Sequence, residues 1–175
     1  MSSDLSVKIT KNINLHNLLK DTELVLQKML LLAEPPILTV QLQVRGVNKP
    51  INFEDFDVQN EPGMLIVRIQ NEKEAVAIVL TEVESHPMIK DSETGLWAEI
   101  IVSAMRTPLE FILAASLAIA LAEEMNVKII DDAKIWSHHI EQEPEELFQG
   151  LKLKKKMPNI YLATEEVFSL MPKNK

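Results

Sequence analysis

The sequence contains no cysteine, few aromatic residues and only four glycines among its 175 residues. The lack of cysteine excludes disulfides, thiolate–metal sites and cysteine-based catalysis. The scarcity of glycine leaves no phosphate-binding loop or dinucleotide-binding fingerprint. Neither a G-x-S-x-G nor an H-E-x-x-H motif occurs. We therefore assign no catalytic residue and expect no cofactor.

The sequence also lacks a long apolar run and a leader-like beginning. The longest apolar stretch, residues 109–122, contains Glu110, and it is shorter than the roughly 20 residues that a membrane-spanning helix requires. The first residues show no basic segment followed by an apolar one, so a secretory signal is not expected. Together with the absence of cysteine, this predicts a cytoplasmic protein that does not associate with membranes.

Charge is unevenly distributed along the chain. The net charge is −8, but residues 151–175 hold six lysines and two acidic residues. The acidic body argues against nonspecific nucleic-acid binding, which depends on phosphate neutralisation, and favours a basic protein partner. We predict a single α+β domain over residues 1–150. The basic extension, 151–175, either packs on this domain or trails from it. Its lysines are either a solvated cluster or a contact for a nucleic acid or an anionic surface.

Two helices dominate the predicted secondary structure. Apolar residues at helical spacing predict an amphipathic helix over residues 14–33, ended by two prolines. Thr107 and Glu110 form a capping box that opens a second helix over 107–125, with Asn126 as a left-handed cap. Because the middle of this second helix is apolar nearly all round, we expect it to be covered on most sides.

Alternating or continuous apolar segments predict strands between and beyond these helices. Short turns, including one at 46–50, make the strands antiparallel neighbours. A loop is predicted at 85–94, and residues 1–11 are interpreted as a loose lead or a short edge strand. Strands are predicted at 37–45, 51–58, 64–70, 74–84, 95–105 and 127–130.

The predicted fold class is therefore α+β with two layers. An antiparallel sheet of about five or six strands is packed against helices 14–33 and 107–125. Short C-terminal helices are expected at 143–148, stopped by Gly150, and from Thr164 onwards. The sheet edges offer a route to a homodimer.

An acidic and histidine-containing segment is the candidate metal or acid–base site. Imidazole and carboxylate groups suit zinc, nickel or iron. His138 and Glu141 are three residues apart, which permits chelation only if the segment is helical. A solvated acidic segment before a helix is the competing interpretation. The candidate ligands are Asp131, Asp132, His138, His139 and Glu141.

Four further residues are candidates for binding roles, namely Trp97, Trp136, Arg106 and Thr107. Trp97 and Trp136 are the only tryptophans, and each is either a core residue or an aromatic anchor in a protein interface. Arg106 precedes the capped helix N-terminus at Thr107, where a guanidinium and helix amides can bind an anion. The capping box already occupies part of that site.

A short segment resembles a known group of families. Residues 113–124, 127–132 and Trp136 form an Ala-rich helix, a short strand, an acidic turn and a tryptophan. This arrangement resembles several bacterial families, some of which are immunity proteins of polymorphic toxin systems. Those families often have a glycine after the helix, where this chain has Asn126. The resemblance implies an inhibitory protein-binding role and assigns no binding residue.

Three functions follow as hypotheses. The first is a non-enzymatic cytoplasmic protein-binding module, of inhibitor or immunity type, for a basic partner. The second is a metal-dependent or acid–base enzyme that uses the His/acid segment 131–146. The third is a carrier with an apolar pocket for a small ligand between sheet and helix.

Overall fold

The computed structural model describes residues 5–51, 56, 58, 63–83, 94–104 and 106–171. Within these residues the chain forms one sheet of eight strands and four helices. The strands are β1 (Leu5–Ile9), β2 (Leu38–Val44), β3 (Val47–Lys49), β4 (Met64–Ile69), β5 (Val76–Val83), β6 (Gly95–Val102), β7 (Ile129–Ile130) and β8 (Glu141–Gln142). The helices are α1 (Leu15–Leu30), α2 (Pro108–Met125), α3 (Pro144–Leu151) and α4 (Ile160–Leu170).

The sheet is antiparallel throughout, in the order β3-β2-β4-β5-β6-β1-β7-β8. The α+β class and the antiparallel sheet are confirmed, but the predicted number of strands was too low. The placement of β1 also corrects the sequence interpretation, because β1 lies inside the sheet between β6 and β7 rather than loose or at an edge. Ser6 and Val7 are both buried, so β1 is covered on both faces.

A tight hairpin replaces the turn predicted at 46–50. Arg45 and Gly46 both have positive φ, 51° and 80°, which is the backbone of a type I′ turn. The turn therefore needs only two residues, and Val44 pairs with Val47 directly across it. Of the strand predicted at 51–58, the described residues Ile51, Phe56 and Val58 are not in a strand, and the others lie outside the described residues. The loop predicted at 85–94 lies outside them except for Thr94.

One face of the sheet and the helices share a single hydrophobic core. Cross-strand partners such as Leu42 and Leu65, or Ile78 and Ile100, place apolar side chains on the same face. α2 contacts β1 and β6 and also α1, α3 and α4, so it is enclosed from almost every direction. Its alanines are what permit this close packing, as the sequence predicted. No described helix combines the length and the apolarity needed to cross a bilayer.

The ends of α2 follow the sequence closely. The Thr107 hydroxyl accepts a hydrogen bond from the Glu110 amide at 3.3 Å, and the Glu110 carboxylate accepts one from the Thr107 amide at 3.1 Å. Asn126 ends the helix with a left-handed backbone, φ 56°. The predicted capping box and C-terminal cap are therefore confirmed.

The two short C-terminal helices have different bounds from those predicted. α3 continues through Gly150 to Leu151, because Leu147 and Leu151 lie four residues apart and are both buried. α4 begins at Ile160 rather than near Thr164, since the Asn159 side chain accepts a hydrogen bond from the Leu162 amide.

The segment after residue 150 is packed against the rest of the fold up to Met171. The Leu153 amide donates a hydrogen bond to the Met29 carbonyl at 2.9 Å, which ties the chain to the end of α1. Leu153 and Val167 are buried in the same core as the sheet. The basic segment is thus held in a defined position by apolar contacts.

Candidate functional site

A cavity of about 460 Å³ opens where α2 ends and α3 begins. We call it the acidic groove. Three carboxylates and one ammonium group line it, together with apolar and amide groups. Its lining residues are Ala122, Glu123, Asn126, Val127, Lys128, Glu143, Pro144 and Glu145.

The local fold explains how residues distant in sequence meet in this groove. Asn126 reverses the chain after α2, and the following residues enter β7. β7 pairs with β8, so that Ile129 lies opposite Gln142. The chain therefore returns to the same end of α2 and places Glu143 and Glu145, at the start of α3, beside it.

Negative charge exceeds positive charge in the groove. The Lys128 ammonium lies 3.7 Å from the Glu143 carboxylate and 3.9 Å from the Glu141 carboxylate. These distances allow ion pairing but are too long for a hydrogen bond. Glu123 is an exposed residue, but partial desolvation of its carboxylate in the groove raises its pKa, and the negative charge of Glu145 raises it further. Lys28 acts in the opposite direction on the pKa of Glu123, while Asp21 raises it. Each carboxylate therefore makes ionisation of the other less favourable.

Glu123 and Glu124 also stand at an unfavourable end of a helix. The C-terminus of a helix carries partial negative charge, which repels carboxylates and attracts cations. Glu124 lies beside the groove lining; burial raises its pKa, the charge of Lys11 counteracts part of that effect, and its Oε2 atom is buried without a hydrogen-bond partner among the described residues. An arrangement that opposes local stability in this way is typical of a binding site. Chemically, it suits a guanidinium or ammonium group.

The predicted metal-ligand segment does not gather its side chains in one place. Residues 131–140 form a loop rather than a helix, which removes the helical spacing that chelation by His138 and Glu141 required. His138 and His139 are exposed, whereas Asp131 is fully buried. Asp132 lies at intermediate depth. In the part of the chain that the structure describes, no three His, Asp or Glu side chains are placed to hold one metal ion.

Asp131 organises this loop. Its carboxylate accepts hydrogen bonds from the backbone amides of Ile135 at 2.9 Å, Trp136 at 2.8 Å and Ser137 at 2.9 Å. Burial raises the pKa of the Asp131 carboxyl, the three amide hydrogen bonds counteract part of that effect, and the charge of Asp132 adds to the rise. The geometry is that of a structural anchor for the chain between β7 and β8.

Both tryptophans are buried in the folded chain. Trp136 is 3% exposed; its indole Nε1 donates to the Phe111 carbonyl at 3.0 Å, and the two rings lie 5.2 Å apart. Trp97 is 4% exposed and lies on β6, on the sheet face opposite that of Ala98 and Ile100. Trp136 thus lies in the shared hydrophobic core, whereas Trp97 is buried on the other face of the sheet, outside that core.

Arg106 and Thr107 stand at the start of α2. Arg106 has a left-handed backbone, φ 50°, and its amide donates to the Ser103 carbonyl. Thr107 is engaged in the capping box with Glu110, which is itself buried. The amide and hydroxyl of Thr107 therefore already have partners within the protein.

Sequence reasoning identified Glu143 and Glu145 as part of an acidic segment but did not identify Glu123 or Lys128. A signal was present, because two consecutive glutamates close a long helix where carboxylates are disfavoured. What the sequence did not show is that the strand pair β7–β8 returns α3 to that helix end. Strands of only two residues are too short to show a periodic pattern in the sequence, so their pairing could not be predicted.

Comparison with protein-family models, with curated proteins and with solved structures returned no match to this chain. The resemblance of residues 113–136 to immunity-protein families stays a prediction.

Proposed function

We propose that this chain is a non-enzymatic protein-binding module, and that the acidic groove receives a lysine or arginine side chain of a basic protein partner. The observation that carries the proposal is the position of Glu123 beside Glu145 in an open cavity at the C-terminus of α2. An incoming cation would relieve the repulsion between these carboxylates, and it would be attracted by the partial charge at the helix end.

The rest of the chain supports a partner of this charge. The net charge is −8, and long-range attraction of this kind speeds the encounter with a basic protein. An inhibitor or immunity protein acting on a basic toxin or nuclease is the biological setting that we favour. Such a role requires tight binding and no chemistry on the side of this chain.

The partner can be sought by affinity purification from the host with three forms of the intact protein. The first is wild type, and the second carries Glu123→Gln and Glu145→Gln. The third carries Glu34→Gln and Glu82→Gln, a control with the same charge change at exposed residues outside the groove lining. We expect a basic polypeptide that wild type and the control recover, and that the groove variant loses.

The recovered protein then allows the affinity to be measured. Hydrogen bonds to charged groups contribute more to the binding free energy than hydrogen bonds between neutral groups. The affinity of the groove variant should therefore be at least about tenfold lower than that of wild type. Raising the salt concentration should slow association with wild type, since screening weakens steering. Equal recovery and equal affinity for all three forms would refute the role of the groove.

A further inference from the structure

A second cavity, of about 340 Å³, lies at the C-terminal end of the fold. We call it the lysine groove. Its lining combines apolar side chains with two lysines and a single glutamate. The lining residues are Leu153, Lys154, Lys155, Met157, Glu166 and Leu170.

The groove has a fixed frame. Leu153 is buried and its amide is hydrogen-bonded to the Met29 carbonyl at 2.9 Å, so the segment that carries the lysines is held against α1. Val167 anchors α4 in the same core. A binding surface on such a frame is preformed and loses little conformational entropy when a ligand binds.

The apolar surface continues beyond the cavity along α4. Leu162 and Leu170 are 40% and 53% exposed, and with Glu166 they are spaced at four residues, which places them on one flank of the helix. This pair of exposed leucines lies beside the cavity, with the exposed Glu166 between the two side chains. It offers contacts for an anchor side chain and for the residues on either side of it.

The charge at the rim selects the ligand. Lys154, Lys155 and Lys156 are exposed, whereas the Lys152 ammonium lies over the Phe148 ring at 5.6 Å from its centre. Two of these lysines, Lys154 and Lys155, line the apolar cleft of a chain whose net charge is −8. A concave and largely apolar cleft suits a projecting apolar side chain better than it suits a nucleic-acid backbone or a flat bilayer. Glu166 in the lining repels anions, so the acidic groups of a ligand have to lie on the side of Lys154 and Lys155.

We propose that the lysine groove binds an acidic segment of another protein, with one apolar side chain inserted between Leu153, Met157 and Leu170. Carboxylates on either side of that anchor would pair with Lys154 and Lys155. Apolar burial supplies affinity and the charges fix the orientation of the segment. This site is separate from the acidic groove and of opposite charge, so it does not depend on the function proposed above.

The test is a selection of displayed random peptides on the intact, immobilised protein. We expect the enriched sequences to share a Leu, Ile or Phe flanked by Asp or Glu. Synthetic forms of the best peptide are then measured by fluorescence anisotropy against four proteins. These are wild type, Leu170→Ser, the pair Lys154→Glu with Lys155→Glu, and a control pair Lys49→Glu with Lys134→Glu at exposed positions outside the groove lining.

The expected losses of affinity are about tenfold or more for Leu170→Ser and for the Lys154/Lys155 pair, with the control within about twofold of wild type. Three results would overturn the proposal: no enriched peptide, enriched peptides without acidic residues, or binding that survives both groove variants. Enrichment of basic peptides that depend on Glu123 would also overturn it while supporting the acidic groove. The two proteins can also be sedimented with vesicles that contain phosphatidylglycerol. If no peptide is selected, and wild type sediments with the vesicles while the Lys154/Lys155 variant does not, the groove binds anionic lipid instead.

Discussion

The indole Nε1 of Trp136 donates a hydrogen bond to the main-chain carbonyl of Phe111, 3.0 Å away, and so joins the loop between β7 and β8 to the first turns of α2. The two rings also pack at 5.2 Å, and Phe111 in turn lies 5.2 Å from the ring of Phe168 on α4. A row of three aromatic rings therefore connects a loop, the central helix and the last helix. These ring contacts lie where the three elements meet.

Replacing Trp136 by Phe tests that connection. The variant keeps a ring in the core but removes the indole donor, so that the Phe111 carbonyl retains only its partner within α2. Loss of this one hydrogen bond should lower the free energy of unfolding by about 0.5–1.5 kcal/mol. Trp136→Ala should cost more, about 3–5 kcal/mol, because it also opens a cavity. Urea unfolding followed by circular dichroism measures both. An unchanged midpoint for Trp136→Phe would show that the hydrogen bond contributes nothing to stability.

Asp131→Asn tests whether the buried carboxylate anchors its loop. An amide offers one acceptor oxygen where three backbone N–H groups now converge, so at least one of them loses its partner. We expect a loss of about 2–3 kcal/mol and faster hydrogen exchange at the amides of Ile135, Trp136 and Ser137. If the exchange rates at these three amides stay at their wild-type values, the loop is held by other contacts.

The sequence predicted the presence of the two main helices because their signals are local. The predicted end of the first helix was wrong, since α1 ends at Leu30 with a left-handed Leu31 before the chain reaches the prolines. The capping box of Thr107 and Glu110, and the left-handed cap at Asn126, each depend on a few neighbouring residues. The strands β2, β4, β5 and β6 likewise follow from alternating or continuous apolar segments. The architecture could be reached from such patterns because short turns leave antiparallel pairing as the only choice.

The place of β1 and the acidic groove could not be predicted in the same way. β1 reaches the middle of the sheet by pairing Val7 with Ala98 and with Ile129, which lie 91 and 122 residues further along the chain. Nothing in the local pattern of residues 5–9 distinguishes an edge strand from a central one. The acidic groove depends on the same distant pairing, since β7 lies against β1 before it pairs with β8.

The pH dependence of stability should report the carboxylates at the end of α2. Burial raises the pKa of both Glu123 and Glu124 above the ordinary value of 4.5. Between the ordinary and the raised pKa, the folded chain holds more protons than the unfolded chain, so these two groups make the free energy of unfolding fall as pH rises.

The double variant Glu123→Gln, Glu124→Gln removes the contribution of these two carboxylates to the pH dependence of stability. Its free energy of unfolding relative to wild type should therefore increase as the pH is raised from about 4 to about 7. Urea titrations at several pH values measure the difference, and the exposed pair Glu34→Gln, Glu82→Gln serves as the control. A difference that shrinks with rising pH would contradict the assignment.

A buried glutamate provides a stability test in a different part of the fold. Glu23 on α1 is 5% exposed, and its carboxylate accepts hydrogen bonds from the Leu38 amide and the Lys20 ammonium, each at 2.8 Å. It thereby fixes α1 to the first residue of β2. Glu23→Ala should lower the free energy of unfolding by about 1–3 kcal/mol because the Leu38 amide loses its acceptor in a buried place.

Two companion variants separate the hydrogen bond from the ion pair. Lys20→Ala should cost less than about 1 kcal/mol, since the lysine side chain is largely exposed and such pairs contribute little. Glu23→Gln retains a carbonyl oxygen for the Leu38 amide and should recover part of the loss. Equal costs for Glu23→Ala and Lys20→Ala would instead mean that the ion pair, and not the link to β2, is what stabilises the contact between helix and sheet.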